Sequence, residues 1–167
     1  MRIAVAGGTG TVGTHVVSIS RERGHDVVVL TRSAGVDLMT GAGLDAALEG
    51  VDAVVDVAST FTQSAKVAAA FFGTVTRALL AAEKRQGVPH HVALSIVGID
   101  GSRYGYYIGK QEQERAITAG GVAGVGTVAL IDAAFQPCRG FHALFGANKQ
   151  ACANGEYVGE RPTRRIR

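Results

Sequence analysis

The run Arg2-Ile3-Ala4-Val5-Ala6 leads directly into Gly7-Gly8-Thr9-Gly10-Thr11-Val12-Gly13, and no other stretch of the chain restricts its fold as strongly. Arg2 to Ala6 reads as one short buried strand. Beyond the glycines, Val12, Val16, Val17 and Ile19 recur at helical spacing from Thr11 to Arg23, and Gly24 stands where a helix stops. The glycines satisfy two spacings together: G-x-x-G-x-x-G through Gly7, Gly10 and Gly13, and G-x-G-x-x-G through Gly8, Gly10 and Gly13. A strand that turns on glycines into a helix opens a βαβ unit, whose next strand must run parallel to the first.

The rest of the chain continues that alternation. Asp26 to Thr31 holds Val27, Val28, Val29 and Leu30, apolar on both faces as a covered parallel strand requires. A Gly- and Asp-rich loop precedes a short helix over Leu44 to Glu49, closed by Gly50, and Ala53 to Val57 is a third buried strand. Residues 62 to 86 read as a helix with Gly87 and Pro89 as its stop. His91 to Val97 is a fourth strand, Gly98 to Tyr104 a polar loop, and Tyr106 to Ala119 a helix with its charges on one side. Strands alternating with helices predict an α/β, Rossmann-like, doubly wound parallel sheet.

The glycines also specify a ligand. One makes the tight turn, one lets backbone N–H groups approach a pyrophosphate, and one lets helix and strand pack closely. The anion then meets the free N–H groups and positive dipole end of the helix. The motif from Gly7 through Gly10 to Gly13 is therefore expected to cradle a nicotinamide dinucleotide. A unit selective for NAD(H) carries an acid near the end of the second strand, on the ribose hydroxyls. Here the sequence reads Thr31-Arg32-Ser33. Arg32 can grip a 2′-phosphate with a bidentate fork and Ser33 can add a hydroxyl donor, so NADP(H) is expected over NAD(H). Asp37 and Leu38 follow where the adenine would be bordered.

Ser95 lies near the end of the fourth strand, and Tyr106 and Lys110 share a helical face at a spacing of four. In a hydride-transfer site, a Tyr whose pKa is lowered by a neighbouring ammonium passes a proton to a carbonyl oxygen. Lys110 would fix the nicotinamide ribose and Ser95 would bond the same oxygen. Ser95, Tyr106 and Lys110 are the expected catalytic residues. Tyr104 or Tyr107 could cover the pocket mouth.

These segments, with Gly50-Val51-Asp52-Ala53-Val54-Val55, Leu94-Ser95-Ile96-Val97-Gly98 and Tyr104 to Lys110, resemble the short-chain dehydrogenases/reductases, and within them the atypical NmrA-like NAD(P)H-binding branch. The resemblance covers residues 1 to about 119 in the family's order. It implies that Thr9, Gly10, Thr11, Val12, Arg32 and Ser59 touch the dinucleotide and that Lys110 reaches the ribose. The implied activity is an NADP(H)-dependent oxidoreductase acting on a small carbonyl, enone or quinone-like substrate. In this branch the Tyr is often missing or inert, and some members sense the redox state of the cofactor without turnover. A non-catalytic sensor and an inactive truncated product are the alternatives.

Two units are expected, a dinucleotide-binding domain over 1–119 and an atypical, irregular, disordered tail over 120–167. The family would continue with a segment like Gly-x-x-Trp-x-x-x-Arg-x-x-Gln-Phe. This chain has no Trp, places four glycines between Gly120 and Gly126, and ends Arg-rich. Those departures suggest that the sheet is truncated and the tail missing or frame-shifted, although Val125 to Ile131 could form one more strand.

The basic pI of about 9.1 belongs to that tail. Residues 1–138 carry 11 Lys and Arg against 12 Asp and Glu, and six of the basic residues follow. A near-neutral body is a poor footprint for nucleic acid. Cys138 and Cys152 form no metal-ligand pattern, so no metal is expected. No leader is apparent, and no window reaches ~18 consecutive apolar residues. The expected protein is cytoplasmic, with neither membrane nor nucleic acid as partner.

Overall fold

The computed structural model describes residues 1–96, 99–120 and 125–130, the last segment by its backbone. Five parallel strands form one sheet in the order β2-β1-β3-β4-β5: β1 Arg2–Ala6, β2 Asp26–Leu30, β3 Ala53–Asp56, β4 His90–Ile96 and β5 Val125–Leu130. The register is continuous: Ala6 stands beside Leu30 on one side and Asp56 on the other, and Ile96 stands beside Leu130. The chain steps from β1 out to β2 and returns across β1 to β3, so the direction of winding reverses between β1 and β3. In open α/β sheets ligands bind at such a point, outside the carboxyl ends of the strands.

The helices are α1 Thr11–Glu22, the single turn α2 Leu44–Ala47, α3 Ala65–Gln86 and α4 Gly105–Gly120. Ser64 caps α3 by accepting the Val67 N–H at 3.4 Å, and Gly87 ends it in the left-handed region. The expected helix from residue 62 therefore starts three residues later. Val97 and Gly98 lie outside the described residues, as does the expected tail beyond Leu130. The fifth strand does form, and it carries the sheet past residue 119, the boundary expected from the sequence.

One core fills the space between the sheet and α2 and α3, with Ala4, Ala6, Leu30, Val54, Leu44, Leu48, Val75 and Leu79 among its buried members. The β4 alternation sends Ala93 to a second cluster with Leu80 and Ile117, which joins α3 and α4 to the sheet. Close packing of the two long helices depends on Gly109, where a Cβ would stand 2.7 Å from Ala68 Cβ and Phe72 Cδ2. By length and composition α3 is apolar enough to cross a membrane, with a mean hydropathy of 1.3. Phe72, Val75, Leu79, Leu80 and Ala82 bury its apolar side within the fold instead. Glu83 of α3 and His91 of β4 form a fully buried pair, Nδ1 to Oε1 2.7 Å.

Candidate dinucleotide and catalytic site

Gly7 follows β1 at φ +77°, and a Cβ there would come within 2.7 Å of the Ala58 backbone and the Val57 carbonyl. Only glycine allows the loop after β1 to lie against the loop after β3. The Gly10 N–H donates to Gly7 O at 2.9 Å, closing the turn. At Gly13 a Cβ would collide with Gly7 O, which is the close helix–strand approach expected from the motif. The first bond of α1 is Thr14 N–H to Gly10 O, 2.9 Å. The amides of Thr11, Val12 and Gly13 therefore have no partner within the helix. Gly10 caps with no side chain and the first turn holds no acid. A cradle that Cβ atoms would fill, opening on an uncapped helix start, fits a pyrophosphate.

Arg32 opens a single 3-10 turn just beyond β2, with its side chain 82% exposed. Its Nε lies 3.7 Å from Asp37 Oδ2. Ser33 Oγ lies 3.0 Å from Thr31 Oγ1, and the Thr31 hydroxyl accepts the Ala34 N–H at 3.3 Å. Asp37 also holds its own loop, with Oδ1 accepting the N–H groups of Met39 (2.7 Å) and Thr40 (3.3 Å). Leu38 is half-buried and packs on the core. Arg32 and Asp37 are thus neighbours, and Leu38 has a structural task.

At the other wall, the Tyr106 hydroxyl lies 3.0 Å from Ser59 Oγ, in the loop that Gly7 touches. The Tyr106 ring packs edge-on against Phe72 with centroids 5.4 Å apart, and Lys110 Nζ lies 4.3 Å from the centroid of the same ring. Phe72 of α3 thus brings the Tyr and Lys of α4 together. Lys110 is 2% exposed. Its ammonium donates to Leu94 O and to Gln113 Oε1, each at 2.8 Å. Burial lowers its pKa to about 8, against the opposing pull of the Asp56 and Glu114 carboxylates.

Two expectations are corrected here. The Tyr106 pKa is raised, not lowered: burial dominates, the Ser59 bond pulls downward, and Tyr107 adds to the rise. Ser95, for its part, points its hydroxyl at Glu114 of α4, donating to Oε1 at 2.6 Å. The hydroxyl that meets Tyr106 belongs to Ser59.

Asp56 and Gln113 were missed by the sequence reading. Asp56 closes β3 fully buried, with Oδ1 accepting the Ala58 N–H at 3.0 Å and Oδ2 accepting Gln113 Nε2 at 2.8 Å. A charged residue ending an apolar Val-Val strand, and an amide three residues beyond Lys110 on the same helix, were the available signals. Among the described residues no group of His, Cys, Asp and Glu could hold a metal ion.

A glycine cradle and a Tyr-Lys helix at the carboxyl edge of a doubly wound parallel sheet place the molecule among the short-chain dehydrogenases/reductases. The chain belongs to the NAD dependent epimerase/dehydratase family, which matches residues 3–117. It is 39% identical over 59 residues to the Epimerase family protein SDR39U1 of Bos taurus, a match covering 35% of this chain and 20% of that protein. UDP-N-acetylglucosamine 4-epimerase from Bacillus cereus shares the fold, with a TM-score of 0.66 and 24% identity over 77% of this chain and 58% of that one. MoeE5, solved with UDP-glucose and NAD, aligns with a TM-score of 0.62 and 22% identity over 78% of this chain and 54% of its own. The chain thus spans little more than half of these two structures, and its match covers a fifth of the bovine relative.

Proposed function

We propose that the chain is an NADP(H)-preferring oxidoreductase of the atypical, NmrA-like type, acting on a small carbonyl, enone or quinone-like substrate. The observation that carries this reading is the contact between the Gly7 turn and the 57–59 loop, which sets the phosphate cradle beside the Ser59–Tyr106 hydroxyl pair. When bound, the nicotinamide supplies the hydride. The amides of Thr11, Val12 and Gly13 hold the pyrophosphate, and Arg32 with Ser33 holds the 2′-phosphate. Lys110 serves the ribose. Tyr106 carries its proton at neutral pH, as any phenol does, and can donate it to a substrate oxygen while Ser59 orients its hydroxyl. The cytoplasmic location belongs to the same proposal, supported by the packing of the apolar side of α3 inside the fold.

A second reading, a nicotinamide sensor without turnover, is favoured by the engagement of Lys110 with Leu94 and Gln113 and of Ser95 with Glu114. NADPH oxidation across a panel of carbonyls and quinones, with UDP-glucose as a further arm, separates the two. An enzyme loses rate in Tyr106→Phe and Lys110→Ala, whereas a sensor binds NADPH but shows no NADPH oxidation with any compound of the panel. Equal affinity for NADPH and NADH sinks the NADP(H) preference.

A further inference from the structure

Two parts of the site lie on different elements: the glycine turn after β1 and the Tyr106–Lys110 face of α4. One buried carboxylate reaches both. Asp56 Oδ1 accepts the Ala58 N–H at 3.0 Å, fixing the loop whose backbone meets Gly7 and whose Ser59 meets Tyr106. Its other oxygen, Oδ2, accepts from Gln113 Nε2 at 2.8 Å, and Gln113 Oε1 in turn accepts from the Lys110 ammonium at 2.8 Å. A carboxylate only accepts. Asp56 therefore compels Gln113 to present its N–H₂ to β3 and its carbonyl to Lys110. Asp56 and Gln113 are 0% and 1% exposed, so water cannot easily substitute for either bond.

We propose that Asp56 is a positioning residue, acting through Gln113 to hold the Lys110 ammonium and through the Ala58 amide to hold Ser59, so that one side chain registers the cofactor cradle against the Tyr-Lys pair. This rests on the dinucleotide reading above for its functional consequence, but the orientation of Lys110 by Asp56 does not depend on it. The charged groups acting on Lys110 are Asp56 from β3 and Glu114 from α4, while α3 presents the Phe72 ring.

Asp56→Asn removes the charge and keeps the shape. The Asn amide cannot accept at both atoms, so either the Ala58 N–H loses its acceptor or Gln113 turns its N–H₂ toward Lys110. Gln113→Met breaks the relay without touching Asp56, and it carries the test if Asp56→Asn does not fold. The measurement is the pH titration of Lys110 in the full chain labelled with [ε-¹³C]lysine, where Lys110→Arg assigns the signal among four lysines. NADPH affinity is measured on the same samples. Both variants are expected to lower the Lys110 midpoint by about half a pH unit or more, tripling its deprotonated-to-protonated ratio at a given pH. NADPH binding should weaken about five- to tenfold. An unchanged Lys110 midpoint in the folded variants overturns the proposal. A shifted midpoint in a protein that binds no NADPH supports the positioning of Lys110 and overturns the dinucleotide reading alone.

Discussion

The hydroxyls of Ser59 and Tyr106 lie 3.0 Å apart although 47 residues separate them in the chain. The bond links the loop after β3 to the first turns of α4, and it opposes the rise that burial imposes on the Tyr106 pKa. Ser59→Ala should therefore raise that pKa further, read as a later phenolate absorbance step in a pH titration with Tyr106→Phe as the reference. In the proposed reaction, losing one orienting hydrogen bond should lower kcat about tenfold. A phenol that titrates identically with and without Ser59 would show that the bond does not persist in solution.

Lys110 makes stability depend on pH in a stated direction. Its folded pKa, about 8, lies below the ~10.4 of an unfolded lysine, so the unfolded chain binds the proton more tightly. The cost of burying the ammonium is fully present below pH 8. It is relieved as pH rises from there toward the unfolded value. Relative to Lys110→Met, wild type should gain stability across that window, by about 3 kcal/mol in all. Urea denaturation of both proteins at pH 7.5, 8.5 and 9.5 measures the difference, and a flat difference refutes the depressed pKa.

Local patterns carried most of the fold. The all-apolar run Val27 to Leu30 and the glycine punctuation located β2, the turn after β1 and the ends of the helices within a few residues. Spacing also put Tyr106 and Lys110 on one face of α4, since a period of 3.6 residues needs no tertiary information. The partners of those residues were not legible. Which hydroxyl meets Tyr106 depends on how far the loop after β3 extends beyond Asp56, and that is set by the Gly7–Ala58 contact. The sequence reading grouped Gln113 with the charges on one side of the helix, yet it is buried and bonded to Asp56 of β3. The direction of the Tyr106 shift was misjudged for the same reason: pairing at i, i+4 says nothing of how much water α3 excludes.

Arg32 tests the cofactor preference directly. Its contact with Asp37 uses Nε, and the two terminal nitrogens supply the fork that a phosphate takes. Arg32→Ala should weaken NADPH binding about 10- to 150-fold, the range for losing charge-assisted hydrogen bonds, while leaving NADH affinity nearly unchanged. Nicotinamide fluorescence titrations with each dinucleotide check this. Parallel losses for both would mean that Arg32 supports the loop and reads no phosphate.

The buried Glu83–His91 pair gives a test of packing that is independent of any ligand. Among the described residues Glu83 Oε2 and His91 Nε2 have no hydrogen-bond partner, so the 2.7 Å contact between the other two atoms is what compensates both groups for burial. Removing one partner strands the other. His91→Leu should cost about 1–3 kcal/mol, because it leaves the Glu83 carboxyl group in the core without its hydrogen-bond partner. The double variant Glu83→Leu/His91→Leu should recover much of that loss, since two apolar side chains of similar volume need no partners. Denaturant midpoints for the two singles and the double complete the cycle. Strictly additive losses would mean that each residue matters for its volume and that the contact between them contributes nothing.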